Sequence, residues 1–207
     1  MSKRIYTIGH STRELHELIA LLKENGVTRL ADIRRFPGSR RYPHFSRESL
    51  ANSLPENGIA YERFEDLGGR RNPLPESRNT ALRNGQFRGY ADYMATEEFR
   101  AAVDRLLDSD RTTAYMCAEA VPWRCHRNLL SDELVRRGLE VVHILGPHSR
   151  KMHELSGIAV IRGDRVEYPD HQRLLPAGEG ARRADEGRPS PGAARHPLPE
   201  GEGTKDE

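Results

Sequence analysis

Short apolar runs and helical stripes alternate along most of the chain. Ile5-Tyr6-Thr7-Ile8 reads as a buried strand, and after it Leu15, Leu18, Ile19 and Leu22 fall at i, i+3, i+4 and i+7, the spacing of a helix facing a core. Ser11 with Glu14 three residues on has the pattern of a capping box, and Gly26 stands where such a helix stops. A second strand spans Val27 to Ile33, then a basic loop, a short helix from Arg47 to Leu54 and a strand from Ile59 to Phe64. Residues 70–86 read as an irregular polar loop and residues 87–107 as mostly helical. Thr112 to Met116 is a fourth strand, Asn128 to Arg137 a helix closed by Gly138, and Leu139 to Leu145 a fifth strand. Ile158-Ala159-Val160-Ile161 and Arg165-Val166-Glu167-Tyr168 flank Gly163-Asp164 as a hairpin would. This rhythm predicts an α/β fold: a single three-layer domain with a mainly parallel sheet and a small C-terminal hairpin.

Composition changes that picture at one place. Positions 176–207 hold five Pro, six Gly and only six apolar residues, too few to offset the entropy of ordering them, so a disordered tail is expected after an α/β domain of residues 1–175. No window approaches the run of about 20 apolar residues that a membrane span needs. The N-terminal residues enter a strand-like run without an apolar signal core, so no cleaved leader is expected. Two cysteines, Cys117 and Cys125, are too few for a disulfide scaffold. A cytoplasmic protein with no membrane partner is the expectation that follows. The formal charge of +2 hides an imbalance, because the acidic tail leaves the body at +4.

The chemically loaded residues cluster after strands. Gly9-His10-Ser11 follow the first, Asp32 and Arg34 the second, and Asp66-Leu67-Gly68-Gly69 the third, while the fourth runs into Cys117-Ala118-Glu119-Ala120-Val121-Pro122-Trp123-Arg124-Cys125-His126-Arg127. In an open parallel sheet, ligands bind in the crevice beyond the carboxyl ends of the strands, so these segments are expected to converge there.

Thr7-Ile8-Gly9-His10-Ser11, Asp32-Ile33-Arg34 with Pro37 and Ser39-Arg40, Leu67-Gly68-Gly69, Tyr93-Met94, Cys117-Ala118-Glu119 with Pro122 and Cys125-His126-Arg127, and His143-Ile144 occur in one order from about Arg4 to Tyr168. In these motifs the chain resembles the family called domain of unknown function 488. The resemblance implies a compact α/β fold and a set of candidate site positions; it implies no reaction.

Residue chemistry offers several readings of those positions. Cys117, at a strand end before a helix, resembles in position the nucleophile of rhodaneses and cysteine phosphatases. Glu119, Pro122 and Trp123 stand where those enzymes have a glycine-rich phosphate cradle, and a small buried strand-end residue is the competing reading. Cys125-His126 suggests a metal site completed by Cys117, His10 or His143, although adjacent residues seldom face the same ion. Glu119 and Asp32 are the carboxylates best placed for acid–base work with His10, with His126 orienting or protonating a substrate. The competing reading is a buried Asp32–Arg34 or Glu119–Arg127 ion pair that closes the sheet edge.

Six arginines lie between Arg29 and Arg47 with only Asp32 against them, interleaved with Phe36, Tyr42 and Phe45, a mixture suited to phosphate contacts and base stacking. Arg34, Ser39, Arg40, Gly68, Gly69 and Arg127 are therefore the expected substrate-binding residues. The leading expectation is an enzyme acting on a nucleotide, nucleic acid or other phosphate-bearing substrate by carboxylate and histidine chemistry. The alternatives are a Cys117/Cys125 redox or metal-binding protein and a non-catalytic nucleic-acid-binding module.

Overall fold

The computed structural model describes residues 3–38 and 42–170. Ser39 and Arg40, the domain boundary near Leu175 and the tail beyond it lie outside the described residues. Among the described residues eight strands and five α-helices follow in the order β1 (Arg4–Gly9), α1 (Leu15–Glu24), β2 (Arg29–Asp32), α2 (Arg47–Glu56), β3 (Ala60–Arg63), α3 (Gly85–Tyr93), α4 (Glu97–Leu107), β4 (Thr113–Cys117), α5 (Arg127–Arg136), β5 (Glu140–Gly146), β6 (Ser149–Met152), β7 (Val160–Arg162) and β8 (Arg165–Glu167).

The main sheet has the order β3-β2-β4-β1-β5-β6. Its first five strands are parallel, with Tyr6 opposite Ala114 and Gly9 opposite Cys117, and β6 alone runs antiparallel, against β5. Side chains alternate between two cores. Ile8, Leu30, Ala114, Met116 and Ile144 meet Leu18 and Leu22 of α1 and Leu50 and Leu54 of α2 on one face. Ile5, Ala31, Tyr115 and Val141 meet Tyr90, Phe99, Val103 and Leu130 of α3, α4 and α5 on the other. Two separate helical layers on one sheet make the fold a three-layer α/β domain. No helix among the described residues is long and apolar enough to cross a membrane.

Local differences from the sequence reading have physical causes. Ser11 does not cap α1: it takes a left-handed conformation, φ 52°, in the turn after β1. Glu14 is the N-cap, and its own N–H donates to Glu17 Oε2 at 2.8 Å. The segment 87–107 is two helices, because Thr96 starts the second by accepting the N–H of Phe99 on its hydroxyl. The sequence reading has no β6, since all four of its residues are exposed and Met152 is the one apolar residue among them. The hairpin forms as β7 and β8 around Gly163, φ 59°.

Candidate active site

β1, β2 and β4 end side by side, and the chain beyond them continues the pairing: His10 N–H donates to Cys117 O and Ser11 N–H to Ala118 O. The loop after β4 makes a tight 3-10 turn at Pro122–Arg124, which returns Cys125 and His126 to the end of β4 before α5 begins. Cys117 Sγ and Cys125 Sγ thereby lie 3.9 and 3.6 Å from His126 Nδ1. Both thiols are free and buried. They form part of the wall of a cleft of about 280 Å³ whose other lining residues include Arg34, Arg35, Phe36, Gly69, Arg70, Glu119 and Arg124.

The two thiols are electrostatically unlike. The hydrogen bond from Cys117, aided by His126 and Arg127, holds the Cys125 thiol well below the usual thiol range against the effect of burial. That same hydrogen bond, together with burial, pushes Cys117 well above it. A thiolate on Cys125 is therefore favoured where a buried cysteine would ordinarily stay protonated. Arg127, only 1% exposed, is a buried guanidinium whose charge acts on both thiols. It donates to Thr7 Oγ1 (3.1 Å), Glu119 O (2.5 Å) and Ala120 O (3.3 Å), and among the described residues no carboxylate pairs with it.

Glu119 and Arg127 thus meet through the Glu119 backbone carbonyl, and the Glu119 side chain stays exposed on the cleft rim. Gly9 makes this arrangement possible: a Cβ there would lie 1.8 Å from Glu119 O. Gly69 backs on to the histidine, where a Cβ would lie 2.8 Å from His126 Nδ1. The Gly68 position is closed by Glu65 O and the Arg35 side chain, so it shapes the loop behind the cleft.

Asp32 and His10 are engaged elsewhere. Asp32 is wholly buried and accepts from Arg34 Nε (2.8 Å), Arg34 Nη2 (2.6 Å), the Arg34 backbone N–H (3.1 Å) and the Tyr61 hydroxyl (2.8 Å). Four donors leave that carboxylate little capacity as a base. Arg34 Nη1 lies 3.2 Å from His10 Nε2, and His10 Nδ1 lies 3.0 Å from Ser11 O, which fixes a neutral ring with its proton on Nδ1. Burial first, and Arg34 next, push His10 down to about 4. His10 lines an adjoining hollow that shares Arg34, Phe36, Ala118 and Glu119 with the main cleft.

His143 lies on the opposite side of β1, away from the cysteine cluster, in a chain of buried groups. His153 Nε2 donates to Asp132 Oδ1 (3.0 Å), so His153 Nδ1 accepts from His143 Nε2 (3.0 Å). Burial, then His153, push His143 down to about 3. Both His10 and His143 therefore fold in the neutral form with values below the ordinary 6.5, so the unfolded chain binds more protons between those limits. Stability is expected to be fully present above about pH 6.5 and to fall towards pH 4, by up to about 2.7 kcal/mol per pH unit for two protons. Urea unfolding at pH 5 and pH 7 checks this, and His10→Gln should flatten the dependence.

Of the residues expected to form the site, Arg34, Gly69, Cys117, Glu119, Cys125 and His126 line one cleft. Arg35, Phe36, Arg70, Gln86, Phe87 and Arg124 join them. The alternation of arginine and aromatic residues already pointed to Arg35 and Phe36, whereas Arg70, Gln86, Phe87 and Arg124 become visible only when the loops after β3 and β4 are seen to meet. Phe36 is 63% exposed, with the Arg35 and Arg70 guanidiniums 5.8 and 5.7 Å from its ring centre.

Residues 14–134, more than half of the chain, match a family model described as Domain of unknown function DUF488. No curated protein and no solved structure matches the chain.

Proposed function

The chain belongs to the family described as Domain of unknown function DUF488, and on that premise we propose that it is an enzyme acting on a small phosphate-bearing substrate, nucleotides included, held over the Cys117–Cys125–His126 cluster. One observation carries this reading: three arginines without a carboxylate partner among the described residues, Arg35, Arg70 and Arg124, face one carboxylate, Glu119, around that cluster, while Asp32 takes up the charge of Arg34. Arginine forks match phosphate oxygens, and a cleft lined by one sign of charge concentrates the opposite one. The Arg124 side chain has no hydrogen-bond or ion-pair partner among the described residues and is free to take a substrate oxygen. Phe36, 63% exposed with two guanidiniums near its ring, offers an aromatic surface on which a base or other planar group can stack.

Glu119 is the carboxylate available for proton transfer, because Asp32 is consumed by Arg34 and Tyr61. The nucleophile is a water activated beside the Cys117–Cys125–His126 cluster, with Glu119 taking its proton. Hydrolysis of nucleoside mono-, di- and triphosphates, cyclic dinucleotides and sugar phosphates should be assayed in parallel with wild type and Glu119→Gln. Wherever wild type turns a substrate over, the variant should lose at least about 100-fold in kcat with its melting temperature unchanged. Arg124→Ala should raise KM. Full activity in Glu119→Gln would remove that carboxylate from the mechanism.

A further inference from the structure

Building on the reading of this cleft as the reacting site, we propose that Cys117 Sγ, Cys125 Sγ and His126 Nδ1 are the three protein ligands of a thiophilic divalent cation, zinc foremost, whose fourth position opens into the cleft. The three donor atoms all lie within 4.8 Å of one another. Zinc bonds of about 2.3 Å to sulfur and 2.0–2.1 Å to nitrogen place tetrahedral ligands about 3.8 Å apart for two sulfurs and about 3.6 Å for sulfur and nitrogen. The 3.6 Å from Cys125 Sγ to His126 Nδ1 matches the sulfur–nitrogen edge, and the 3.9 Å from Cys117 Sγ exceeds it by about 0.3 Å, a shift within reach of the side chains alone. As hydrogen bonds they are long.

The backbone explains how adjacent residues serve one ion. Cys125 is extended, φ −138° and ψ 150°, and His126 is helical, φ −57° and ψ −15°. In a continuous strand their side chains would diverge to opposite faces; the switch of conformation between them turns both donors to the same point. Gly69 supplies the space, since any Cβ there would come within 2.8 Å of the donor nitrogen itself. The ring of His126 is steadied by Tyr90, 5.0 Å away between centroids. Two thiolates and a neutral imidazole balance a divalent charge, and binding of the cation itself displaces the thiol protons.

Three protein ligands with an open fourth position is the pattern of catalytic zinc, which lowers a bound water to a pKa of about 7. Such a water would stand in the same cleft as Glu119 and the arginines. A redox dithiol is the competing use of these cysteines, and it would consume both sulfur ligands in a disulfide.

Cobalt(II) titration of the full reduced chain tests the site. The expected result is one ion per chain, a thiolate-to-cobalt charge-transfer band and the strong visible bands of a tetrahedral centre, with zinc displacing the cobalt. Affinity should fall at least 10-fold in Cys125→Ser and His126→Gln and stay unchanged in His10→Gln. Gly69→Ala keeps every ligand and crowds His126 Nδ1, so it should also weaken cobalt binding even if a cysteine variant fails to fold. Absence of the charge-transfer band in folded, reduced protein, cobalt binding indifferent to these substitutions, or a Cys117–Cys125 disulfide in protein purified without reductant would each overturn the proposal. Pyrophosphate binding by the chelator-treated protein separates the two readings. Retained pyrophosphate binding without cobalt binding would overturn the metal site and keep the anion cleft, whereas the reverse would overturn the cleft.

Discussion

Asp32→Ala is expected to destabilise the protein by about 3–5 kcal/mol, because it strands a guanidinium inside the fold. Arg34 is 5% exposed and gives two side-chain hydrogen bonds to Asp32 and a close contact to His10. Without the carboxylate, Arg34 keeps its charge and loses its counterion, and the Tyr61 hydroxyl loses its acceptor. The ends of β2 and β3 are held together at this point, so their amides should exchange faster than those of β1. Adding Arg34→Met removes the orphaned charge, and the double variant should recover at least half of the loss, since an apolar pair of similar volume often replaces a buried ion pair at little cost. Urea unfolding of the single and double variants measures both values. A stable Asp32→Ala protein that had lost only turnover would reassign Asp32 to the chemistry.

Asp132→Ala should cost a comparable amount and do so in a different part of the molecule. Its carboxylate accepts from His153 Nε2 (3.0 Å), the Ser156 N–H (2.8 Å), the Ser156 hydroxyl (2.8 Å) and the Tyr168 hydroxyl (2.8 Å). One side chain of α5 thus fastens the loop after β6 and the end of β8. Each buried donor left without a partner costs about 1–3 kcal/mol, and relaxation of the loop to solvent recovers part of that, which gives a net of about 3–5 kcal/mol. Hydrogen exchange should quicken first over residues 153–168 while β1 and β4 remain protected. Uniform acceleration across the sheet, or none, would contradict this assignment. The buried His143–His153 pair that ends on Asp132 should also lose its order, and the fall in stability between pH 6.5 and pH 4 should become shallower.

The sheet was legible because parallel strands buried on both faces are written as mostly apolar runs, as in Ile5 to Ile8 and Leu139 to Leu145, interrupted only by Thr7, Glu140 and His143. Strand β6 was not, because an edge strand of four exposed residues leaves no hydropathy trace. The identities of the cleft residues were readable from motif chemistry, but their division of labour was not. Asp32 and Glu119 look equivalent in sequence, each a carboxylate at or just beyond the end of a strand. The structure separates them, since Arg34 lies two residues from Asp32 and can fold back on it, while Arg127 reaches the Glu119 carbonyl and leaves its carboxylate outside. The nearness of Cys125 and His126 to Cys117 depends on the turn at Pro122–Arg124 and on a change of backbone conformation between neighbours, and residue spacing records neither. Asp132, His153, Ser156 and Tyr168 escaped notice as a group because they are scattered over three segments, and only the packing of the hairpin against α5 gathers them.

The central claim is that an anionic substrate sits in the arginine-lined cleft over the Cys117–Cys125–His126 cluster. Amide-resolved NMR during a titration with pyrophosphate tests it most directly. The account expects saturable shifts confined to Arg34–Phe36, Gly69–Arg70 and Cys117–His126, weakened by added salt and by Arg124→Ala. Shifts that gather on the β7–β8 hairpin, or no saturable shift at low salt, would contradict it.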